Sequence, residues 1–536
     1  MHKLRSALPA ILVAVVVLAR LIPGPRTIDD SYITFRYAHN LLSGQGFSFN
    51  PGEAVLGTTT PLYTLLMAGL GALTGGSDAP FDRLALLVNL IADVVTALLL
   101  WRLGCRLGFE RAGVAAALAW AVAPFSVTFA VGGLETSLYV CLLTGTAVAA
   151  VNAGLRERKL EFNDSGVRYR LAAALLASLA LLTRPDALIL LGPLALERLW
   201  AARRVPIRWG EAAAALLPYG AWLVYATLVF GSPLPHSILA KAAAYHLGAG
   251  EALIRLIQHY ATPFVEQYVL GAPAAVGLGL ALYPFVYGVG LRRALKSNFC
   301  PALWVWGLYP WLYLITFALP NPLIFRWYLT PPLATYFFFI FIGLDQVLFA
   351  IISLLRRIFR PKARPWSALR AEQRVGGWVA VLLCIPVVVS LAGWRITPDH
   401  GATSPAPDMA FIKLELLYRQ AATLIYPQLT AQSVLAAGDV GVLGFFTPAR
   451  ILDTVGLNSP ISTGYYPLPA EQYVINYAIP TALILDQQPD WIVILEVYAR
   501  RTFLEDPAFA ARYRLIEKIP TDLYGSDGLL IFQRKP

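Results

Sequence analysis

Charged residues are scarce in this chain. Asp, Glu, Lys and Arg make up 14% of its 536 residues, whereas 57% are hydrophobic; an ordinary soluble protein carries about 25% charged residues. That shortage excludes a soluble enzyme, a disordered chain and a nucleic-acid-binding protein. Cysteine is also rare, and the four cysteines form no readable disulfide framework. The composition therefore predicts a polytopic α-helical membrane protein.

Eleven apolar segments predict eleven transmembrane helices. The first, residues 7–22, follows a basic amino terminus and has no small-residue cleavage site after it, which favours a retained signal anchor. A further stretch, residues 61–73, is too short to cross, and we interpret it as a helix lying at the outer interface. The other predicted spans are residues 84–101, 113–130, 134–153, 171–183, 186–199, 211–230, 268–290, 302–319, 327–355 and 376–394.

The positions of Lys and Arg predict the orientation of these spans. With a cytoplasmic amino terminus, the cytoplasmic side holds 24 Lys and Arg residues and the opposite loops before residue 395 hold seven, as the positive-inside rule requires. This topology treats 171–183 and 186–199 as two short helices that meet at an outward-facing corner. A single broken span there would reverse the predicted orientation of every later span and of the C-terminal domain.

The composition changes to mixed polar sequence after Trp394. We therefore predict a transmembrane domain of residues 1–394 and a soluble extracytoplasmic α/β domain of residues 395–536. Residues 408–426 and 499–513 have the pattern of helices. Five short runs in this domain have the pattern of strands, namely residues 434–438, 451–455, 491–497, 513–519 and 528–534.

The first outer loop, residues 24–83, carries the most informative polar sequence. Asp29 and Asp30 precede a run with helical spacing, so one of them could cap that helix. The cap leaves the second carboxylate unexplained, close to the apolar phase where an unpaired charge is unfavourable. Arg36 lies seven positions after Asp29 on roughly the same helix face, and it could steer a charged group or pair with the aspartate.

The sequence DDSYITFRYAHNLLSGQGFSFNPGE, which begins at Asp29, resembles the first-loop signature of the bacterial terminal arabinofuranosyltransferases. These belong to the GT-C glycosyltransferases, which take a sugar from a polyprenyl-phosphate or polyprenyl-diphosphate carrier on the outer face of a membrane. Similar motifs follow in the same order and span most of the chain: GGLETSLY at 132–139, LTRPDALIL at 182–190, GSPLPHSILAK at 231–241, FRWYLTPPL at 325–333, and GDVGVLGFF with ILDTVGL between 438 and 457.

The resemblance implies a set of site residues, nearly all on the predicted outer side. A carboxylate is needed to deprotonate an acceptor hydroxyl, for which we favour Asp29 as the base with Asp30 orienting it or binding a cation. Cationic and hydrogen-bonding groups are needed for the departing phosphate. The candidates that bind substrate are Arg36, Glu135, Arg184, His236, Lys241, Arg326 and Tyr328.

Most of these residues also have a purely structural explanation. Arg184 could cap a helix and pair with Asp186, and Arg326 beside Tyr328 could belong to an interfacial aromatic belt. Lys241 and His236 could be ordinary loop residues, and a metal site built on His236 lacks a second histidine at ligand spacing. Glu135 could cap the helix that it precedes.

The resemblance implies an inverting glycosyltransferase of the bacterial plasma membrane. It would move a pentofuranose or hexose from a polyprenyl-phosphate donor to a hydroxyl of a cell-envelope glycan, glycolipid or protein. The sequence shows no required cofactor and leaves a divalent cation open. Its partners would be the lipid-linked donor, the acceptor and membrane lipid, with no nucleic acid. The alternatives are a transporter or flippase, or a binding protein, for a lipid-linked sugar.

Overall fold

The transmembrane part of the chain is a bundle of helices. A computed structural model describes residues 2–158, 164–359, 367–396 and 404–536. The helices before the C-terminal domain are α1 (His2–Leu21), α2 (Asp29–Leu42), α3 (Pro61–Thr74), α4 (Phe81–Leu107), α5 (Glu110–Val122), α6 (Pro124–Val131), α7 (Thr136–Arg158), α8 (Asp164–Thr183), α9 (Leu188–Ala201), α10 (Trp209–Phe230), α11 (His236–Ala244), α12 (Glu251–Ala261), α13 (Gln267–Leu270), α14 (Ala272–Asn298), α15 (Pro301–Ala318), α16 (Leu333–Phe359) and α17 (Ser367–Ser390).

Among the described residues, seven helices are long and apolar enough to cross a membrane: α4, α7, α8, α10, α14, α16 and α17. Helices α5 and α6 are long and apolar enough only when taken together, as a pair bent by 48°. The bend lies where Pro124 begins α6, because proline cannot continue the hydrogen bonding of the preceding helix. The other three predicted spans are also helical, as α1, α9 and α15. The protein is therefore a multi-pass membrane protein, and the count of eleven spans stays a prediction.

The predicted corner between residues 183 and 188 is a break between two helices. Helix α8 ends at Thr183, a 3₁₀ turn covers Pro185–Ala187, and α9 begins at Leu188. Helix α8 packs against α7 and α10, whereas α9 packs against α15. The two helices therefore have different neighbours, as expected for separate spans.

A fully buried ion pair joins α1 to the bundle. The Arg20 guanidinium lies 2.9 Å from the Asp93 carboxylate, and both side chains have 0% exposure. Asp93 also accepts hydrogen bonds from Trp120 Nε1 at 3.1 Å and Ser137 Oγ at 3.1 Å, while Arg20 donates to Ser126 Oγ at 2.5 Å. Both ions of this pair thus have further hydrogen-bond partners, which is what a charge inside a membrane requires.

Replacing Asp93 with Leu should strongly destabilise the protein. The change leaves the Arg20 charge buried without a counter-ion, a loss of about 3–5 kcal/mol in comparable buried pairs. The double variant Arg20→Met with Asp93→Leu should recover most of that loss. Thermal unfolding in detergent checks both, and a double variant no more stable than the single one would contradict this account.

The C-terminal domain is a five-stranded mixed sheet flanked by short helices. All five predicted strands are present, as β3 (Val434–Ala437), β4 (Arg450–Asp453), β5 (Trp491–Leu495), β6 (Tyr513–Ile519) and β7 (Leu529–Arg534). The sheet order is β4-β3-β5-β7-β6, with β3 parallel to β4 and β5 and with β7 antiparallel to β5 and β6. A short hairpin of β1 (Trp394–Arg395) and β2 (Ala406–Pro407) precedes it. The α-helices of the domain are α18 (Lys413–Ile425), α19 (Gly441–Phe446), α20 (Thr481–Gln487) and α21 (Pro507–Arg512).

One predicted helix of this domain is much shorter than expected. The interpretation of residues 499–513 as a helix holds only for the six residues of α21. Pro507 stands at its start, where the Asp506 carboxylate accepts a hydrogen bond from the amide of Ala508 at 2.7 Å. The chain enters β6 directly at Tyr513, so the end of the helix is predicted to within one residue, and the error lies at residues 499–506, where only a 3₁₀ turn, Phe503–Glu505, precedes α21.

The first outer loop and the C-terminal domain share one hydrophobic core. Phe35 and Tyr37 of α2 belong to the same buried cluster as Leu435 of β3 and Ile492 of β5. Asn50 extends this contact as a strand would, since its amide group donates to the carbonyl of Ile451 at 2.9 Å and accepts from the amide of Ile451 at 3.0 Å. The domain is therefore fixed on the loop that carries the aspartate pair.

Candidate functional site

A cavity of about 500 Å³ lies where the first outer loop meets the outer ends of several helices. Five of the residues predicted to act on substrate line it together: Asp30, Glu135, Arg184, Lys241 and Tyr328. The sequence separates them by almost 300 positions, so only the fold brings them to one place. The wall also includes residues outside our list of site residues, namely Asp186, Tyr245, Trp327 and the threonines at 58–60.

Asp30 is the free carboxylate of this cavity. It stands in the first turn of α2 and forms no hydrogen bond with any residue that the structure describes. Burial raises the pKa of Asp30, and the nearby Lys241 ammonium partly opposes that rise. A half-buried carboxylate with an elevated pKa and an unoccupied oxygen pair is suited to accept a proton.

Asp29 points away from the cavity, towards the C-terminal domain. Its Oδ2 accepts a hydrogen bond from the amide of Gly441 at 2.9 Å, and its Oδ1 accepts one from the amide of Val442 at 2.8 Å. Its side chain is buried, with 5% exposure. Because both oxygens are taken by fixed main-chain donors, our choice of Asp29 over Asp30 as the base does not fit the geometry.

Arg184 is held by two carboxylates at the corner between α8 and α9. It bonds Asp186 through two nitrogens, at 2.9 and 3.2 Å, and reaches Glu135 Oε1 at 3.2 Å. Its guanidinium also lies 4.9 Å from the ring centre of Tyr328. The pairing with Asp186 that offered a structural explanation for Arg184 is thus present, but the group still lines the cavity.

Lys241 is a cation without a carboxylate partner within 4 Å among the described residues. Helix α11 carries it, and its Nζ lies 4.7 Å from the ring centre of Phe325 and 6.0 Å from that of Tyr328. Burial acts to lower the pKa of Lys241, but the attraction of Tyr328 and Asp30 outweighs burial and raises the pKa overall. Lys241 therefore stays charged beside Asp30, with the Tyr328 hydroxyl as a hydrogen-bond partner and no carboxylate paired to it among the described residues.

Three further candidates lie outside the cavity wall. Arg36 is buried and donates to the carbonyls of Phe49 at 2.6 Å and Ala449 at 3.2 Å, so it fastens the loop to the domain and does not pair with Asp29. Arg326 is exposed, with its guanidinium 5.3 Å from the ring centre of Phe411. His236 begins α11, and its Nε2 is buried without a partner in the described structure.

Two acidic residues of the C-terminal domain were missed. Asp439 accepts hydrogen bonds from the hydroxyls of Tyr418 at 2.7 Å and Tyr498 at 3.2 Å, and burial raises its pKa to about 6. Glu415 accepts from the amide of Asp29 at 3.1 Å, and burial raises its pKa to about 8. The motif GDVGVLGFF contains Asp439, but nothing in the local pattern indicates that it meets α2.

The acidic, histidine and cysteine side chains bear on whether the protein binds a divalent cation. Among the described residues, no group of three or more His, Cys, Asp and Glu side chains is placed to hold a metal ion. Our expectation that no cofactor is required stays a prediction.

Comparisons with known proteins agree with the motif resemblance. Residues 410–532 match the model of a domain of unknown function, DUF8728. Over 266 residues, which are 47% of this chain, the sequence is 28% identical to the terminal beta-(1->2)-arabinofuranosyltransferase of Mycobacterium tuberculosis. The match covers 40% of that relative.

Two solved structures share the architecture over nearly the whole chain. ArnT from Cupriavidus metallidurans bound to undecaprenyl phosphate superposes with a TM-score of 0.58 and 12% identity, covering 99% of this chain and 98% of ArnT. The oligosaccharyltransferase AglB from Archaeoglobus fulgidus, in complex with an inhibitory peptide and a dolichol-phosphate, gives 0.55 and 12%, covering 99% of this chain and 74% of AglB. The chain therefore has the GT-C fold, as the resemblance of its first-loop sequence to GT-C glycosyltransferases implies.

Proposed function

We propose that this protein is a GT-C glycosyltransferase that transfers one sugar from a polyprenyl-phosphate donor to an acceptor hydroxyl. The observation that carries this proposal is the pairing, in one cavity, of a free carboxylate with a free cation. Asp30 lacks a hydrogen bond and Lys241 lacks an ion pair within the described residues, yet each shifts the pKa of the other. Such a pair is expected where a proton is accepted beside a phosphate that takes on charge.

The reaction is a direct displacement at the anomeric carbon. Asp30 accepts the proton of the acceptor hydroxyl while the acceptor oxygen bonds to the anomeric carbon from the face opposite the phosphate. The bond between that carbon and the phosphate oxygen breaks, and the electron pair leaves with the polyprenyl phosphate. Lys241 and Arg184 stabilise the charge that develops on the phosphate. A single displacement of this kind inverts the anomeric centre.

The cavity has an apolar side on which the lipid carrier could leave. Phe317, Pro320, Pro322 and Leu323 line it between α15 and the turn at Arg326–Leu329. An isoprenoid tail would rest against these side chains and run on towards the membrane. The cavity wall also includes Thr58 and Thr60, whose hydroxyls are suited to bind a sugar.

The likeness to relatives supports our choice of the donor sugar and of the acceptor class, and the predicted topology supports our choice of membrane. The similarity to a terminal arabinofuranosyltransferase favours a pentofuranose donor, with hexose donors as the alternative. The acceptor would be a cell-envelope glycan, a glycolipid or a protein. The excess of Lys and Arg in the predicted cytoplasmic loops supports an amino terminus in the cytoplasm of a bacterial cell, with the cavity and the C-terminal domain on the outer face of the plasma membrane.

Incubation of the purified protein in lipid nanodiscs with a panel of polyprenyl-phosphate sugars and candidate glycan acceptors tests this proposal. Mass spectrometry would follow free polyprenyl phosphate and the elongated acceptor. Formation of both from one donor is expected. A parallel reconstitution into vesicles tests the alternative. Movement of intact donor across the vesicle bilayer, with neither product formed, would indicate a flippase or transporter.

The rate of transfer should fall at acidic pH. Asp30 acts when ionised, so activity is lost as pH falls through its pKa, which burial places above the ordinary aspartate value of about 4. Lys241→Met should move the acidic limb of kcat/KM to higher pH, because the ammonium group lowers that pKa. Arg326→Met, which removes an exposed cation outside the cavity, is the matched control. If the acidic limb lies at the same pH in the Lys241 variant as in the wild type, the limb reports the titration of another group, such as Asp439.

A further inference from the structure

We infer that the C-terminal domain positions the catalytic carboxylate, by holding Asp29 so that the next residue, Asp30, projects into the cavity. This inference rests on the proposed function and assigns a role to residues 410–532, whose matching family model describes a domain of unknown function. Asp29 is then a positioning residue. The domain contributes to the reaction centre because it holds the first turn of α2 in place.

Three hydrogen bonds hold Asp29 against the C-terminal domain. The amides of Gly441 and Val442 donate to the two oxygens of the Asp29 carboxylate at 2.9 and 2.8 Å. The amide of Asp29 donates to Glu415 Oε1 at 3.1 Å. The domain therefore fixes both the side chain and the main chain of Asp29, from two different helices, α19 and α18.

The contact is too close for any residue but glycine at position 441. A Cβ atom built on Gly441 would lie 1.8 Å from the main-chain oxygen of Asp29 and 2.7 Å from its carbonyl carbon. Neither atom belongs to a flexible side chain, so a larger residue must push α2 and α19 apart. Gly441 thus sets the distance between the domain and the first turn of α2.

The displacement would act on Asp30 because its main chain follows directly from the Asp29 carbonyl. A reacting group must be held within about 0.5 Å of its productive position, and a misplacement of about 1 Å can lower a rate about 10²-fold. Donor binding should depend less on this contact, since Lys241 and Arg184 stand on α11 and on the corner after α8. The inference therefore predicts a loss in kcat with little change in donor KM.

Gly441→Ala is the direct test. We expect kcat to fall about 10²-fold, while the KM for the polyprenyl-phosphate sugar stays within about twofold of the wild type. Gly464→Ala is the matched control, because it lies in the same domain and a Cβ there meets nothing within 4 Å. Unfolding temperatures of both variants show whether the comparison is between folded proteins.

Val442→Pro supplies an independent test should Gly441→Ala fail to fold. It removes one amide donor to Asp29 in the first turn of α19, where proline is tolerated, and it should again lower kcat more than it raises KM. The pH profile separates positioning from proton transfer: the acidic limb should persist in Asp29→Asn at reduced kcat, whereas it should disappear in Asp30→Asn.

The outcomes of these experiments distinguish the positioning role of Asp29 from the proposed transferase function. Wild-type kcat in a folded Gly441→Ala protein, or loss of the acidic limb in Asp29→Asn, would overturn the positioning role and leave the proposed transferase intact. Absence of transfer by the wild-type protein with every donor and acceptor would instead refute the proposed function on which this inference rests.

Discussion

Replacement of Asp30 with Asn is expected to reduce kcat by about 10²- to 10⁴-fold, the usual contribution of a positioned general base. The amide has nearly the shape of the carboxylate but cannot accept the acceptor's proton. Because Asp30 has no hydrogen bond to a described residue, the change breaks no contact within the protein, and the fold should be unaffected. Single-turnover measurements of polyprenyl phosphate formation would give the rate.

Asp78→Asn provides the matched control for this variant. Asp78 is an exposed carboxylate of the same outer loop, in a 3₁₀ turn away from the cavity, so its replacement should leave kcat unchanged. An Asp30→Asn protein that retained most of the wild-type kcat would remove Asp30 from the chemistry.

Replacement of Lys241 with Met is expected to have the second largest effect. Loss of one donor to a charge that develops in the transition state costs about 10²- to 10³-fold in kcat in enzymes that stabilise such charge. Met keeps the apolar contacts of the side chain with Phe325, and no carboxylate within 4 Å loses an ion pair. The variant should therefore fold normally while both kcat and donor affinity fall.

Lys241→Arg tests whether charge alone is sufficient. A guanidinium is larger and planar, whereas an ammonium is a compact point charge, and the Lys241 ammonium lies 4.7 Å from the ring centre of Phe325. We expect Lys241→Arg to recover part of the activity that Lys241→Met loses. Full activity in Lys241→Met would show that the phosphate is bound elsewhere.

The sequence was sufficient for the fold because the elements have strong local signals. Long apolar runs can be satisfied in a membrane only as helices, so every predicted span is helical. The five strands of the C-terminal domain were also correct, since each is a short apolar run bounded by turn residues. The failure lies at residues 499–506, before Pro507, because a proline has no amide hydrogen to continue a helix and here stands at the start of one.

The candidate site could be predicted only as a set of residue types. Which of two adjacent aspartates faces the cavity depends on a contact between Asp29 and Gly441, 412 positions apart in the chain. Arg326 and His236 could not be told from Lys241 in the sequence, since all three are basic residues of predicted outer segments. Their different positions follow from how α11 and the turn after α15 pack.

The structure of the Asp30→Asn protein in nanodiscs with a bound polyprenyl-phosphate sugar tests the central claim most directly. The variant should hold the intact donor, because the base that completes the reaction is absent. Our account predicts a phosphate within hydrogen-bond reach of Lys241 Nζ, a sugar whose anomeric carbon faces the side chain at position 30, and an isoprenoid tail along Phe317 and Leu323. A phosphate bound outside this cavity, or a sugar turned away from position 30, would contradict it.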